Sequence, residues 1–112
     1  MRLSFASGKL QEQCESEKEL RRAYGKVCAM KVMSRLTDLR AAASLAHVRN
    51  LPGKCHELDG KRKGQLGISV GRGLRLVLEP TDGWPRGRRS GDAVWGQIDA
   101  VRVLEIVDYH DG

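Results

Sequence analysis

Apolar residues in this sequence recur at helical spacing as far as Arg49 and at every second position from Lys54 onward. A period near 3.6 belongs to a helix packed along one stripe, and a period of two to a strand packed on one face. A chain that changes period once must lay helices against a sheet. An α+β fold is therefore expected, with N-terminal helices on one face of an antiparallel sheet. One short strand precedes the helices: in Met1 to Ala6, Leu3 and Phe5 share a face opposite Arg2 and Ser4.

Ser16 to Glu19 has the S-x-x-E form in which each side chain can satisfy a backbone donor of the other residue, so a helix is expected to begin near Glu17. Two apolar sets follow, Leu20, Tyr24 and Val27, then Cys28, Val32, Leu36, Leu39 and Ala43. They do not share a stripe, because on one straight helix Lys31 and Arg35 fall close to the first set. A break at Gly25, giving a kinked or antiparallel helix pair, removes the conflict. Ser44 to Arg49 can form one more turn before Leu51-Pro52-Gly53 closes the helical half.

In the second half, Gln65 to Val70 turns Leu66, Ile68 and Val70 to one face, and Leu74 to Glu79 does the same with Leu74, Leu76 and Leu78. A three-residue loop, Gly71-Arg72-Gly73, sets Val70 opposite Leu74, Ser69 opposite Arg75 and Ile68 opposite Leu76; a two-residue loop would set Val70 against Arg75. The longer loop is expected, which leaves Ser69, Arg75 and Glu79 on the face away from the helices. Val101 to Tyr109 is apolar on both sides for much of its length, as a central strand should be. Thr81 to Gln97 is long for a hairpin connection and carries Trp84, Arg86, Arg88, Arg89 and Trp95. Two readings stand for it, an RNA-binding flap or a mobile, solvated insertion.

At 112 residues the chain supports one core, so residues 1–112 are expected to form a single domain, with 81–97 as a long basic insertion. The formal charge of +6, from 20 Lys and Arg against 14 Asp and Glu, favours polyanionic partners. Met1 to Gly8 has no long apolar run and no membrane-spanning segment is evident, so a cytoplasmic protein is expected. Cys14, Cys28 and Cys55 are odd in number and lack C-x-x-C spacing, which argues against a disulfide framework or a zinc site.

Two segments can carry chemistry. Lys54 to Lys63 places Lys54, His56, Lys61, Arg62 and Lys63 in ten residues, with glycines that allow close approach to a phosphate backbone. The plain alternative is a solvated turn. Asp108-Tyr109-His110 follows the last strand, and His titrates in the range suited to proton transfer.

Leu51 to Gly64 (L-P-G-x-C-H-E-L-x-G-x-R-K-G), Arg75 to Pro80 (R-L-x-x-E-P) and Glu105 to His110 (E-I-V-D-Y-H) resemble HigB-type toxins of the RelE/ParE superfamily. With the helical half, the resemblance covers almost the whole chain except Thr81 to Gln97. It implies a ribosome-dependent messenger-RNA endonuclease that uses no metal or other cofactor and is inhibited by a HigA-like helix-turn-helix antitoxin. By the same resemblance, Arg62, Lys63 and Arg75 bind phosphate and stabilise the transition state, and proton transfer falls to His110 first, then Tyr109, with Asp108 beside them. His56 is a secondary candidate, since a partly buried His at a strand start is commonly structural. Lys61 stands where many relatives have an acidic residue and Leu74 where many have an aromatic one, which bears on RNA grip. The superfamily also contains ParE-like inhibitors of DNA gyrase that are not enzymes, so fold leaves that alternative open, as it does a degenerate toxin acting as a binding module. Oligomeric state is not fixed by the sequence.

Overall fold

Short-range sequence signals set the helical layer. The computed structural model describes residues 1–86 and 92–108. After β1 (Arg2–Phe5), Ser7 caps a short helix, α1 (Gly8–Cys14), that the apolar pattern did not reveal. Ser16 then caps α2 (Glu17–Ala41), its hydroxyl accepting from the Glu19 N–H at 3.1 Å. Only half of the expected reciprocal box forms: the Ser16 N–H bonds to the Gln13 carbonyl, and the Glu19 carboxylate accepts from Arg22 instead.

Gly25 breaks α2, with φ 83° and ψ 168°, a conformation that residues bearing a Cβ rarely adopt. The break folds the first segment back, so that Glu17 and Asp38 line the same surface cleft. Beyond it Cys28, Ala29, Val32, Leu36 and Leu39 are buried as one stripe. Two residues assigned to the apolar sets are not core: Val27 is exposed beyond the break, and Ala43 is exposed because the helix ends at Ala41 and buries Ala42. A single turn, α3 (Leu45–Val48), completes the helical half.

The sheet contains β2 (His56–Glu57), β3 (Leu66–Ser69), β4 (Leu74–Pro80) and β5 (Ala100–Asp108) in the order β1-β5-β4-β3-β2. The expected register holds: Ile68 lies opposite Leu76 and Ser69 opposite Arg75, and the Val70 N–H bonds to the Leu74 carbonyl across the three-residue loop. β5 is interior, as its two-sided apolar pattern requires. The sheet is mixed rather than wholly antiparallel, because β1 pairs in parallel with β5. Those two strands are joined through the helices and three other strands, not by a hairpin, so nothing forces them to run in opposite directions. Leu66, Ile68, Leu76, Leu78, Val101 and Val103 meet Leu20, Val32, Leu36 and Leu39 in one core.

Neither reading of the 81–97 insertion describes its flanks. The Trp84 indole donates to the Gly64 carbonyl at 2.8 Å. A short helix, α4 (Asp92–Trp95), sinks Trp95 into the core, and the Arg49 guanidinium sits 4.1 Å from its ring centroid. Burial of their large aromatic surfaces anchors both flanks. Arg88 and Arg89 lie outside the described residues.

Two stability predictions follow from the packing. A Cβ on Gly53, where φ is 103°, would lie 2.5 Å from Ile68 Cγ2. Gly53→Ala should cost at least about 2 kcal/mol in urea unfolding, from backbone strain plus overpacking. Burial pushes the Cys14 thiol up to about 11 and the Cys55 thiol up to about 12, against smaller opposing effects of Arg40 and Arg49. Above pH 9.0, the ordinary thiol value, the unfolded chain holds fewer protons than the folded one, so stability should fall as pH rises toward those values. In urea titrations at pH 8 to about 10.5, Cys55→Ala should show a shallower decline than the unsubstituted chain.

Candidate active site

Leu51-Pro52-Gly53 delivers the chain from the helices to the sheet edge, where the Gly53 carbonyl accepts from the Ser69 N–H at 2.9 Å. Lys54 then takes a left-handed conformation, φ 50°, which costs a non-glycine residue on the order of 1 kcal/mol. That turn aims the Lys54 carbonyl at the imidazole two residues on, and His56 Nδ1 lies 2.9 Å from it. A carbonyl only accepts, so Nδ1 carries the proton and Nε2 of the neutral ring keeps its lone pair. Nε2 lies 3.4 Å from Arg75 Nη1, a group that only donates. Both contacts select the same tautomer.

Strand pairing brings these groups together. His56 lies opposite Gly67, which lies opposite Val77; two residues along, Ser69 lies opposite Arg75, which lies opposite Val107. Residues that pair across strands share a face, so all of these lie on the side away from the helices. Gly67 is needed there, because a Cβ would meet Leu58 at 3.1 Å and the Arg75 stem at 3.5 Å. Leu58 and the aliphatic part of Arg75 occupy the space that a side chain would take. The result is a cleft of about 440 Å³ lined by Gly53, Lys54, His56, Ser69 and Arg75.

The remaining charges on this face are largely compensated. Arg62, at the end of a 3₁₀ turn (Gly60–Arg62), donates to Gln65 at 3.0 Å and to Glu105 at 3.1 Å. Arg102 pairs with Glu79 at 2.8 Å. A basic groove lined with opposed acids holds a weaker field than its arginine count implies.

The structure thus brings Lys54, His56 and Arg75 to one cleft. Arg62 is tied to β5, and Lys61 and Lys63 are exposed on its turn. His56 is exposed rather than partly buried, because β2 is an edge strand with a single neighbour. Asp108 pairs with Leu74 and so falls on the helix side of the sheet; the β5 residue beside Arg75 is Val107. Tyr109 and His110 lie outside the described residues. Gly53, Ser69 and Glu105 were not recognised as contributors to the site. The loop register already placed Ser69 beside Arg75, whereas the reach of Arg62 to Glu105 spans 43 positions and has no local signature.

No family model matches the sequence, and neither does any curated protein. Solved structures do match over nearly the full length. A YoeB/ParE toxin from Agrobacterium tumefaciens aligns with a TM-score of 0.56 at 14% identity, covering 98% of this chain and 99% of that one. A YoeB–YefM complex from Staphylococcus aureus gives 0.54 at 16% identity, and the YoeB dimer from the same organism 0.53 at 15%, each covering 98% of this chain and 97% of the other. The chain has the YoeB/ParE toxin fold. At these identities the likeness carries the fold alone, and the chemistry must be argued from the cleft.

The tautomer is directly measurable. A long-range ¹H–¹⁵N correlation spectrum at a pH where His56 is neutral should show its proton on Nδ1. A proton on Nε2 would contradict this orientation of the ring.

Proposed function

We propose that the chain is the toxin of a type II toxin–antitoxin pair, of HigB type, and that it cleaves messenger RNA on the ribosome in the cytoplasm. The observation that carries this reading is an imidazole with its basic nitrogen exposed beside an arginine in a cleft on the sheet. A general base and a permanent cation within hydrogen-bond range of each other are the two groups that attack by a ribose 2′-hydroxyl requires. The YoeB/ParE fold and the sequence resemblance to HigB-type toxins support the same reading.

In the proposed reaction, His56 Nε2 takes the proton from the 2′-hydroxyl as its oxygen bonds to phosphorus. Arg75 and Lys54 stabilise the extra negative charge on the five-coordinate phosphorus. The contact between Arg75 and Nε2, at 3.4 Å, is at the long end for a hydrogen bond, so an arriving phosphate can draw the guanidinium away and free the lone pair. The bond from phosphorus to the 5′-oxygen then breaks, and that oxygen is protonated by His110, with Tyr109 as the second choice. The products are a 2′,3′-cyclic phosphate and a 5′-hydroxyl. Val107 lies beside Arg75, and Tyr109 and His110 follow it in the sequence. Asp108, directed to the other face, serves to position the tail. Arg62, Lys61 and Lys63 grip the RNA backbone away from the bond being cut, Arg62 after exchanging Glu105 for a phosphate. A helix-turn-helix antitoxin of HigA type is the proposed inhibitor.

The test is a reconstituted translation reaction in which messenger ends are mapped. The unsubstituted chain should produce ribosome-dependent cuts. His56→Gln should reduce them by about 10²–10⁴-fold and Arg75→Ala by about 10²–10³-fold, with melting temperatures retained. His110→Ala should also weaken cleavage. Intact messages together with inhibited gyrase supercoiling would replace this reading with a ParE-like one.

A further inference from the structure

Among the described residues, only two that bear a Cβ hold a positive φ, Lys54 at 50° and Arg72 at 52°. That conformation is strained for such residues, and strain of this kind gathers at functional positions. Both are long cations. Lys54 lines the cleft with His56 and Arg75. Arg72 sits at the tip of the hairpin between β3 and β4, three residues before Arg75, so their α-carbons are at most about 11 Å apart. Glycine would take the same backbone angle freely, as Gly71 and Gly73 do on either side. Turn geometry therefore gives no reason for an exposed arginine there.

A second cation reaches the same turn from the helical layer. A Cβ on Gly71 would meet Lys31 Cδ at 3.2 Å and Nζ at 3.3 Å. The bare glycine thus leaves room for the Lys31 stem to lie along the turn and carry its ammonium to the tip. The Gly71 carbonyl, an acceptor that would repel an anion, is already engaged: the Cys28 thiol donates to it at 3.6 Å and the Leu74 N–H at 2.9 Å. On the cleft side, the Ser69 hydroxyl accepts from the Gly71 N–H at 3.5 Å, which ties the tip to the cleft wall. The N–H groups of Arg72 and Gly73 make no hydrogen bond among the described residues.

The charges at the tip are also uncompensated. Arg35, Arg62 and Arg102 each face a carboxylate, whereas Lys31 and Arg72 join no ion pair among the described residues. Asp108, opposite Leu74, is the acid beside the turn by register, and it is bonded to neither. Two unpaired cations and two unused backbone donors match a phosphate group, which offers several charged acceptor oxygens at once.

We infer that the hairpin tip is a second phosphate subsite, in which Arg72, Lys31 and the turn N–H groups hold the phosphate of a nucleotide next to the one at Arg75. This rests on the RNA reading proposed above and extends the RNA path to a side chain of the helical layer. The strand then leaves the sheet face over the hairpin.

The probe is a fluorescein-labelled single-stranded RNA with 2′-O-methyl riboses, which lacks the attacking hydroxyl, titrated against the full chain by anisotropy. Arg72→Asn removes the cation but tolerates the left-handed backbone, and Lys31→Gln keeps much of the aliphatic stem. Each should raise Kd by about fivefold or more at low salt, with the melting temperature of Arg72→Asn unchanged or higher. The double variant should lower the slope of log K against log salt by about 0.7, the value for one phosphate on a single strand. Lys9→Gln, an exposed cation on α1 beside the β1 edge, should leave Kd unchanged. Weaker binding in Arg75→Ala with both tip variants indifferent would overturn the subsite alone. An equal loss in Lys9→Gln would do the same, because the effect would then be one of net charge. An unsubstituted chain that binds no RNA would overturn the subsite together with the RNA reading.

Discussion

The register between β3 and β4 is the constraint on which the rest of the molecule depends. Side chains alternate across a strand, so a slip of one residue would turn Arg75 into the helices and expose Leu74, Leu76 and Leu78. Burying Leu76 and Leu78 is worth on the order of 1.5–3 kcal/mol for each, with Leu74 partly buried beside them. The loop enforces the same choice from the other end: Gly71, Arg72 and Gly73 all take positive φ, at 92°, 52° and 78°. Two of those positions are glycine, which adopts such angles without a steric penalty. Apolar burial and turn chemistry therefore agree, and the position of Arg75 follows from that agreement.

Around that fixed arginine, the cleft is assembled by subtraction and strain. Gly67 supplies no side chain, and Leu58 and the Arg75 stem fill the space it leaves. Lys54 accepts a left-handed backbone, which turns its carbonyl toward His56. A small local cost at Lys54 thereby fixes the tautomer of a ring on an edge strand, where little packing would otherwise orient it. The arginines at the other end of the face are held by Glu79 and Glu105.

Much of this architecture was legible in the residues. The Ser16 cap, the break at Gly25, the hairpin pairing of Ser69 with Arg75 and the interior position of β5 all follow from rules acting over a few residues. Features made by distant residues were not. Val27 fits the apolar stripe by spacing, yet the break at Gly25 rotates it to the surface. Trp84 and Trp95 sit among arginines in a segment that reads as a solvated loop, and only the Gly64 carbonyl and the pocket beneath Arg49 show them to be anchors. His56 looks structural as a single residue at a strand start. Its place in the cleft emerges when β2 proves to be an edge and Arg75 arrives from the second strand over.

The sequence by itself determined the change from helical to strand period, the helix starts and breaks, and which face of each strand is apolar, because these depend on side-chain size and backbone preference over one or two turns of chain. The tertiary structure decided that β1 joins β5 in parallel, that Asp108 lies on the side away from Arg75, and that an imidazole and a guanidinium 19 positions apart share one cleft. Those outcomes depend on which distant strands become neighbours, and that is settled by burial of the whole core rather than by local preference.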